Sequence, residues 1–533
     1  MDSITVDLTV RSHGNSVQTK AAKLRFSMCR CFVFDDGPGD LRCLMAIADH
    51  LVAKKQPVAF YGAGPLCSYF LKHVPELKSC VPLVLSDDPA VIGKEIDGIP
   101  VIAPGELPQN IRTVFLCETK TVPCLGMRKK LPGGLEILTV DILKEIDWKA
   151  IPARAWIPDY DTIYPLDLPD IEFLPNQDMI LIDCPARNLA LMPNGLAYVH
   201  NALKKTSLKF QTVDLDILIY HRYHMHRLLD APVKMLAPKG HKMASDPWLA
   251  EAYDEWQNPD VIEYFRPEID EIVEKLVQAR PKILGLSIQA CNIRFARELV
   301  NGVKARLPET IILVGGYSCY QPTIGRKAFP ESDYMTIGEA DLSVGPLVEA
   351  LVRGERPHDI PGVFSRFDSP DFTFREAPMP QDLDAIEIPK YDWTDLKLYR
   401  NYNRYQLTPI IATRGCRWSR CTFCAERFFW RARSPQNVVD EFQWLYEHGC
   451  DLFMFNESDL NGKPEILLAI CDEIVRRGLK INLTGQLRIN RHSDRNFFDR
   501  LRAGGFVALR FGVDAWNTNT LRQQMKGYTP EMI

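Results

Sequence analysis

Three cysteines, Cys416, Cys421 and Cys424, fall within nine residues in the run Arg414-Gly415-Cys416-Arg417-Trp418-Ser419-Arg420-Cys421-Thr422-Phe423-Cys424. In a reducing compartment thiols clustered this closely point to metal rather than to disulfides. A structural zinc site wants a fourth Cys or His close by, and none follows in the next twenty residues. Three thiolates instead suit a 4Fe–4S cluster, each holding one iron and leaving the fourth iron open for chemistry. Most of the fifteen cysteines stand singly in apolar surroundings. Cys117 in VFLCET, Cys450 and Cys471 in LAICDEI read as small buried hydrophobes.

The elements around the triplet have an α/β rhythm. The apolar strand TPIIATRG runs directly into the cysteines, which puts them on the loop at its carboxyl end, where βα barrels collect their active sites. Helix Asn437 to His448 follows, then DLFMFNES, a helix from Lys463 to Arg477, INLTGQLR, a helix from about Arg495, VALRFGVD and a helical start near Thr518. These are four strand–helix units, fewer than a barrel of six or eight needs. The expectation is a partial barrel, truncated or naturally fragmentary, with further units beyond Ile533 and an exposed edge on its last strand.

Upstream, DMILIDCP, KFQTVDLD, KILGLSIQ, TIILVGGY and DYMTIGEA alternate with helices, the signature of a parallel sheet. An insertion from His221 to Pro267, rich in His, Tyr and Trp, interrupts that rhythm. A first segment ends near Lys149 and is followed by a joint with prolines at 152, 158, 165, 169 and 175, and a second proline-rich joint covers Arg366 to Asp395. The expected fold class is α/β, with a Rossmann-like domain over 1–150, a flavodoxin-like domain over 171–365 and a partial barrel over 396–533.

The form GCxWxxCxFC resembles the radical S-adenosylmethionine (SAM) superfamily, whose signature is CxxxCxxC on the loop after the first barrel strand. Four residues rather than three separate Cys416 from Cys421, a variant similar to one among cobalamin-linked members. The resemblance implies that SAM chelates the open iron and is cleaved reductively to a 5′-deoxyadenosyl radical. It implies that Phe423 lies against the adenine, that Glu457 in DLFMFNESDLNG takes the SAM amino group, and that Gln486 and Arg488 in INLTGQLR reach its ribose and carboxylate. Asp514 in LRFGVDAW replaces the acid of a later family motif.

The middle segment resembles the cobalamin-binding domain that precedes the barrel in one large radical SAM class. The residues that carry this are Ser287 in ILGLSIQ, Gly315 and Gly316 in ILVGGYSCYQP, and Gly338 and Glu339 in IGEADLSVG. Glycines at strand ends let a bulky ligand approach, and the crevice beyond those ends is where open α/β sheets bind ligands. The same glycines also suit ordinary turns. The DxHxxG motif of mutases, whose histidine ligates cobalt from below, is missing, and Asp183-Cys184-Pro185-Ala186-Arg187-Asn188 stands near its place. That absence favours methyl transfer. His221, His224 and His226 are alternative ligands but read better as surface or core residues.

At the N-terminus, VAFYGAGPLCSYFLK sets Gly62 and Gly64 between a strand and a helix, with Asp87 and Asp88 ending the next strand. This is the dinucleotide layout with Cys67 in place of the third glycine. The run resembles small Rossmann-like domains attached to sugar-modifying enzymes. Nucleotide binding and a degenerate recognition scaffold remain equal readings.

The net charge of −4 gives no reason to expect nucleic acid, and no apolar run is long enough to span a bilayer. The start, MDSITVDLTVRSHG, lacks a secretory pattern, so the expected location is the cytoplasm. The implied reaction is methylation of an unactivated carbon in a small-molecule or peptide substrate, with electrons from a flavodoxin or ferredoxin. Rival readings are cobalamin-assisted rearrangement, cyclisation or ring contraction, an NAD-dependent oxidoreductase with a structural metal, and a non-catalytic remnant.

Overall fold

The structure, a computed structural model, describes residues 42–118, 121–139, 168–187, 192–229, 247–248, 250–319, 326–400, 407–424, 429–457, 459–490 and 493–533. Residues 1–169, 219–255 and 259–264 form one compact unit, and residues 170–218, 256–258 and 265–533 form a second. Most of the first proline-rich joint, the N-terminal start and the middle of the insertion lie outside the described residues. No described helix is long and apolar enough to cross a membrane.

The first unit carries a six-stranded sheet of β1 (Val58–Tyr61), β2 (Val84–Leu85), β3 (Glu95–Ile96), β4 (Ile99–Ile102), β5 (Thr113–Leu116) and β6 (Glu136–Leu138) in the order β3-β4-β2-β1-β5-β6. All pairings are parallel except β3 with β4. Every residue of β1 and β5 is buried, as expected for strands covered on both faces.

The second unit contains two parallel sheets. The first comprises β7 (Met179–Asp183), β8 (Phe210–Asp214), β9 (Ile283–Ser287), β10 (Ile311–Gly315), β11 (Tyr334–Thr336) and β12 (Val363–Ser365) in the order β12-β11-β10-β9-β7-β8. Its five parallel strands follow the flavodoxin order 2-1-3-4-5, so the strand order reverses between β7 and β9. The antiparallel β12 closes the far edge. The expected insertion is continuous helix where it begins, because His221 lies inside helix Leu215–Leu229, which starts directly after β8.

The last sheet is β13 (Leu407–Ile410), β16 (Leu452–Phe455), β17 (Asn482–Leu487) and β18 (Phe506–Phe511), all parallel and in sequence order. It does not close into a barrel. Between β13 and β16 a short ribbon, β14 (Thr413–Arg414) with β15 (Arg431–Ala432), forms the stem of the cysteine loop. Helix Pro435–Glu447 packs Phe442 against Phe453 and Phe455, so these side chains define the covered face. On β17 the opposite face carries Thr484 and the exposed Gln486.

The second proline-rich joint is not a loose tether. Tyr391 is fully buried, and Asn201 of helix Asn194–Lys204 donates to the carbonyls of Glu387 and Ile388 at 3.0 and 3.1 Å. Proline removes ladder donors, so this segment takes its hydrogen bonds from side chains instead.

Candidate functional site

Cys416, Cys421 and Cys424 are half-buried, whereas the nine other cysteines whose side chains are described are buried. The loop that carries them is pinned at several points. The Ser419 amide donates to Cys416 Sγ at 3.4 Å, and the Arg417 amide donates to Asp459 Oδ2 at 3.0 Å. Cys416 Sγ lies 3.6 Å from the same carboxylate, and burial pushes its thiol up. Trp418 is held by the C-terminal segment: its indole Nε1 donates to the Met525 carbonyl at 2.7 Å. Its ring also lies under the Arg488 guanidinium, 4.4 Å from ring centre to Cζ. Gly527, at φ +78°, passes so close that a Cβ there would sit 2.2 Å from the Trp418 ring. The Thr422 amide donates to the Gln524 carbonyl at 3.2 Å.

Glu457, two residues past β16, is buried against the backbone that leads into this loop. Its Oε1 accepts from the Ala412 and Thr413 amides at 2.9 and 3.0 Å, while Oε2 has no partner. Burial raises its carboxyl to about 8 against the pull of those amides. Arg488, just past β17, donates from its amide to Asn461 Oδ1 at 2.8 Å and from Nη2 to the Lys526 carbonyl at 2.5 Å. Its buried Nε is unpartnered. Phe423 is 57% exposed with Lys526 Nζ 5.5 Å from its ring centre, and Lys526 also pairs with Asp514. Gln486 is exposed and stands opposite Arg510 on β18.

At the carboxyl ends of β7 and β8 a set of buried charges meets on one guanidinium. Arg187, 5% exposed, donates to Asp183 at 2.8 Å and Asp214 at 2.6 Å, and Asp216 Oδ2 accepts from its amide at 3.1 Å. Tyr399 donates to Asp214. Burial pushes the Asp183 carboxyl up to about 7. Asp183 and Arg187 belong to the stretch that stands near the place of the missing DxHxxG. His221 is 1% exposed, its ring 5.2 Å from that of Tyr220, and the His224 and His226 side chains lie outside the described residues.

No family model matches the chain. In sequence it is 29% identical over 272 residues to the anaerobic magnesium-protoporphyrin IX monomethyl ester cyclase of Synechocystis, covering 49% of this chain and 54% of that protein. It is 24% identical over 270 residues to an uncharacterized methyltransferase of Pyrococcus horikoshii, 50% of this chain and 58% of the relative. The chain thus spans about half the length of the curated relatives it matches. Among solved structures, the cobalamin-dependent SAM radical enzyme OxsB, with aqua-cobalamin and SAM bound, superposes with a TM-score of 0.50 at 16% identity over 67% of this chain and 46% of its own. The chain shares the fold of the cobalamin-dependent radical SAM enzymes.

Within that fold the cysteine loop, Glu457 and Arg488 come together at the carboxyl ends of β13, β16 and β17. Among the described residues no three Cys, His, Asp or Glu side chains converge as ligands of one metal ion. A 4Fe–4S cluster does not require this, since each cysteine holds a different iron. The donor set fits a cluster: three accessible thiols, an amide already aimed at Cys416 sulfur, and the unpartnered Glu457 Oε2 close to the loop stem.

The flavodoxin-like sheet is less open at the expected positions. A Cβ on Gly315 would meet Thr336 Oγ1 at 2.4 Å, and one on Gly316, at φ +110°, would meet the Ile288 carbonyl at 2.8 Å. Both glycines therefore serve close packing of their own backbone. Gly338 has open space, the Ser287 carbonyl accepts from Asn292 Nδ2 at 2.9 Å, and Glu339 is engaged by Arg414 and Arg431. In the N-terminal sheet, Gly62 is crowded by Met127 and Cys117. Asp87, which a nucleotide ribose would need, accepts from the Tyr61 hydroxyl at 2.9 Å and pairs with Lys130 at 3.0 Å.

Sequence reasoning missed Trp418, Asp459, Lys526 and the arginines around the loop stem. Trp418 carried a signal: a large aromatic between closely spaced cysteines must pack on something. The Gly527 contact is visible only in three dimensions.

Proposed function

We propose that the chain is the cobalamin- and SAM-dependent portion of a radical SAM enzyme that methylates an unactivated carbon. What carries the reading is a half-exposed cysteine triplet on the loop that follows Ala412 and Thr413, whose amides hold a buried Glu457 carboxyl with an unpartnered Oε2. In this reading Cys416, Cys421 and Cys424 hold a 4Fe–4S cluster, and Phe423, Glu457, Gln486 and Arg488 receive SAM. When bound, these groups supply reductive cleavage of the sulfonium, and cobalamin supplies a carrier for a methyl group.

The residues of the chain do the rest. Glu457 would receive the SAM ammonium as a carboxylate, its proton passing to solvent, with the Ala412 and Thr413 amides already supporting the anion. Arg488, held over Trp418, presents its unpartnered Nε to a carboxylate. Ser287, Gly315, Gly316, Gly338 and Glu339 border the end of the flavodoxin-like sheet assigned to cobalamin, with Gly338 offering the open backbone there. The loop after β7 carries no histidine that could bind cobalt from below, which supports methyl transfer.

The test is anaerobic reconstitution with iron, sulfide and hydroxocobalamin, followed by methyl-labelled SAM and a chemical reductant. Label recovered on the corrin, and cob(II)alamin without axial nitrogen hyperfine splitting, are the expected results. Corrin uptake with 5′-deoxyadenosine but no label on the corrin would favour cyclisation or rearrangement, and the cyclase relative keeps that second reading in view.

A further inference from the structure

Arg414 and Arg431 stand directly opposite one another in the ribbon β14–β15. That ribbon contains two residue pairs and forms the stem of the cysteine loop. Like charges directly opposite in an antiparallel pair repel, and so short a ribbon has little stability of its own to set against the repulsion. The stem nevertheless forms, and the reason lies on the other sheet of the same unit.

Beyond β11, the loop containing Gly338 supplies two carboxylates. Arg414 Nη1 donates to Glu339 Oε2 at 2.7 Å and to Asp341 Oδ2 at 2.8 Å, and Nη2 donates to Asp341 Oδ1 at 3.1 Å. Arg431 donates to both oxygens of Glu339 and, at 2.5 Å, to the carbonyl of Pro380 in the second joint. The Arg414 guanidinium also lies 4.9 Å from the ring centre of Tyr198, on helix Asn194–Lys204. Side-chain exposures are 13% for Arg414, 4% for Arg431, 19% for Glu339 and 11% for Asp341, so solvent screens these pairs far less than surface ones. Two cations meet two anions, and the charges balance.

We propose that Arg414 and Arg431 are positioning residues: the cysteine loop acquires its closed stem only by docking on Glu339 and Asp341. This quartet thereby fixes the distance between the cysteine loop and the carboxyl end of the flavodoxin-like sheet. The consequence for two bound cofactors rests on the functional reading above, but the quartet itself does not.

Amide hydrogen exchange on the unloaded full chain tests the quartet. Replacing Glu339→Gln and Asp341→Asn together should speed exchange at residues 411–416 and 429–433 roughly tenfold, while helix Pro464–Arg477 keeps its protection. Asp341→Asn alone should give a smaller effect in the same segments, and serves if the double variant unfolds throughout. Glu274→Gln, which removes an exposed partner of Arg306, should change neither region. Unchanged exchange at the stem in both variants would overturn the proposal.

In a chain reconstituted with iron, sulfide and hydroxocobalamin, relaxation of the cob(II)alamin signal by the reduced cluster should weaken or broaden in Asp341→Asn at unaltered iron content. Identical relaxation would overturn the fixed-distance claim. Wild-type chain that takes up neither iron nor corrin would count against the functional reading alone, and the exchange result would still decide the quartet.

Discussion

The carboxyl ends of β7 and β8 and those of β13, β16 and β17 both gather polar side chains, in opposite states. Around Arg187 the carboxylates of Asp183, Asp214 and Asp216 are buried and turned on one guanidinium. Around the cysteine loop the thiols are half-exposed, and Glu457 Oε2 and Arg488 Nε have no partner. A buried charge without a ligand must be satisfied by its neighbours, so the first set is a structural knot. The second keeps unsatisfied polar atoms beside accessible thiols, the condition of a site that waits for a ligand. Asp183 Oδ1 is an exception within the knot, and there burial keeps the carboxyl protonated up to about pH 7.

The sharpest way to break the contrast is to exchange cysteines of the two kinds. Replacing Cys416, Cys421 and Cys424 together by Ala should abolish iron binding, whereas Cys471→Ala, 1% exposed, should leave iron content near wild type. Iron analysis after anaerobic reconstitution reads this directly.

Next in size is Arg187→Met, which strands three buried carboxylates and should cost about 3–5 kcal/mol in denaturant unfolding. The loss should be smaller at pH 5 than at pH 8, because burial holds the Asp183 carboxyl protonated at the lower pH. A loss independent of pH would mean that Arg187 acts only by packing.

Asp183 and Glu457 both have carboxyls raised by burial, to about 7 and about 8. Their contribution to stability is complete below the ordinary carboxylate range and is lost as pH rises through those values. Thermal stability should therefore fall from about pH 4 to about pH 8, and Asp183→Asn should flatten the part of that fall below about pH 7. A variant with the wild-type slope would remove Asp183 from the account.

Smallest is Gly527→Ala. The added Cβ meets the Trp418 ring at a positive φ, so the C-terminal segment should shift at a cost of about 1–3 kcal/mol. Quenching of Trp418 fluorescence, read against a Trp418→Phe control, should change with it.

Much of the fold was legible because buried parallel strands leave continuous apolar runs, such as VAFY, MILID and IILVG. The cysteine triplet was legible because its spacing lies within one loop. Contacts that join distant segments left no local pattern: Trp418 with Gly527, Arg414 with Glu339, and Arg187 with Asp214. The glycines at 315 and 316 mark the limit of motif reading, since close packing and ligand approach both demand a missing Cβ, and packing atoms occupy that space here. Asp87 teaches the same lesson, because its partners Tyr61 and Lys130 sit on elements that the dinucleotide pattern does not include.

The central claim is that the cysteine loop carries a 4Fe–4S cluster with one iron open to SAM. Electron paramagnetic resonance of the anaerobically reconstituted, reduced chain, recorded before and after adding SAM, tests it most directly. The account predicts a cluster signal that SAM shifts, and that is absent when the three cysteines are replaced. A signal indifferent to SAM, or one that persists in the triple variant, would contradict it.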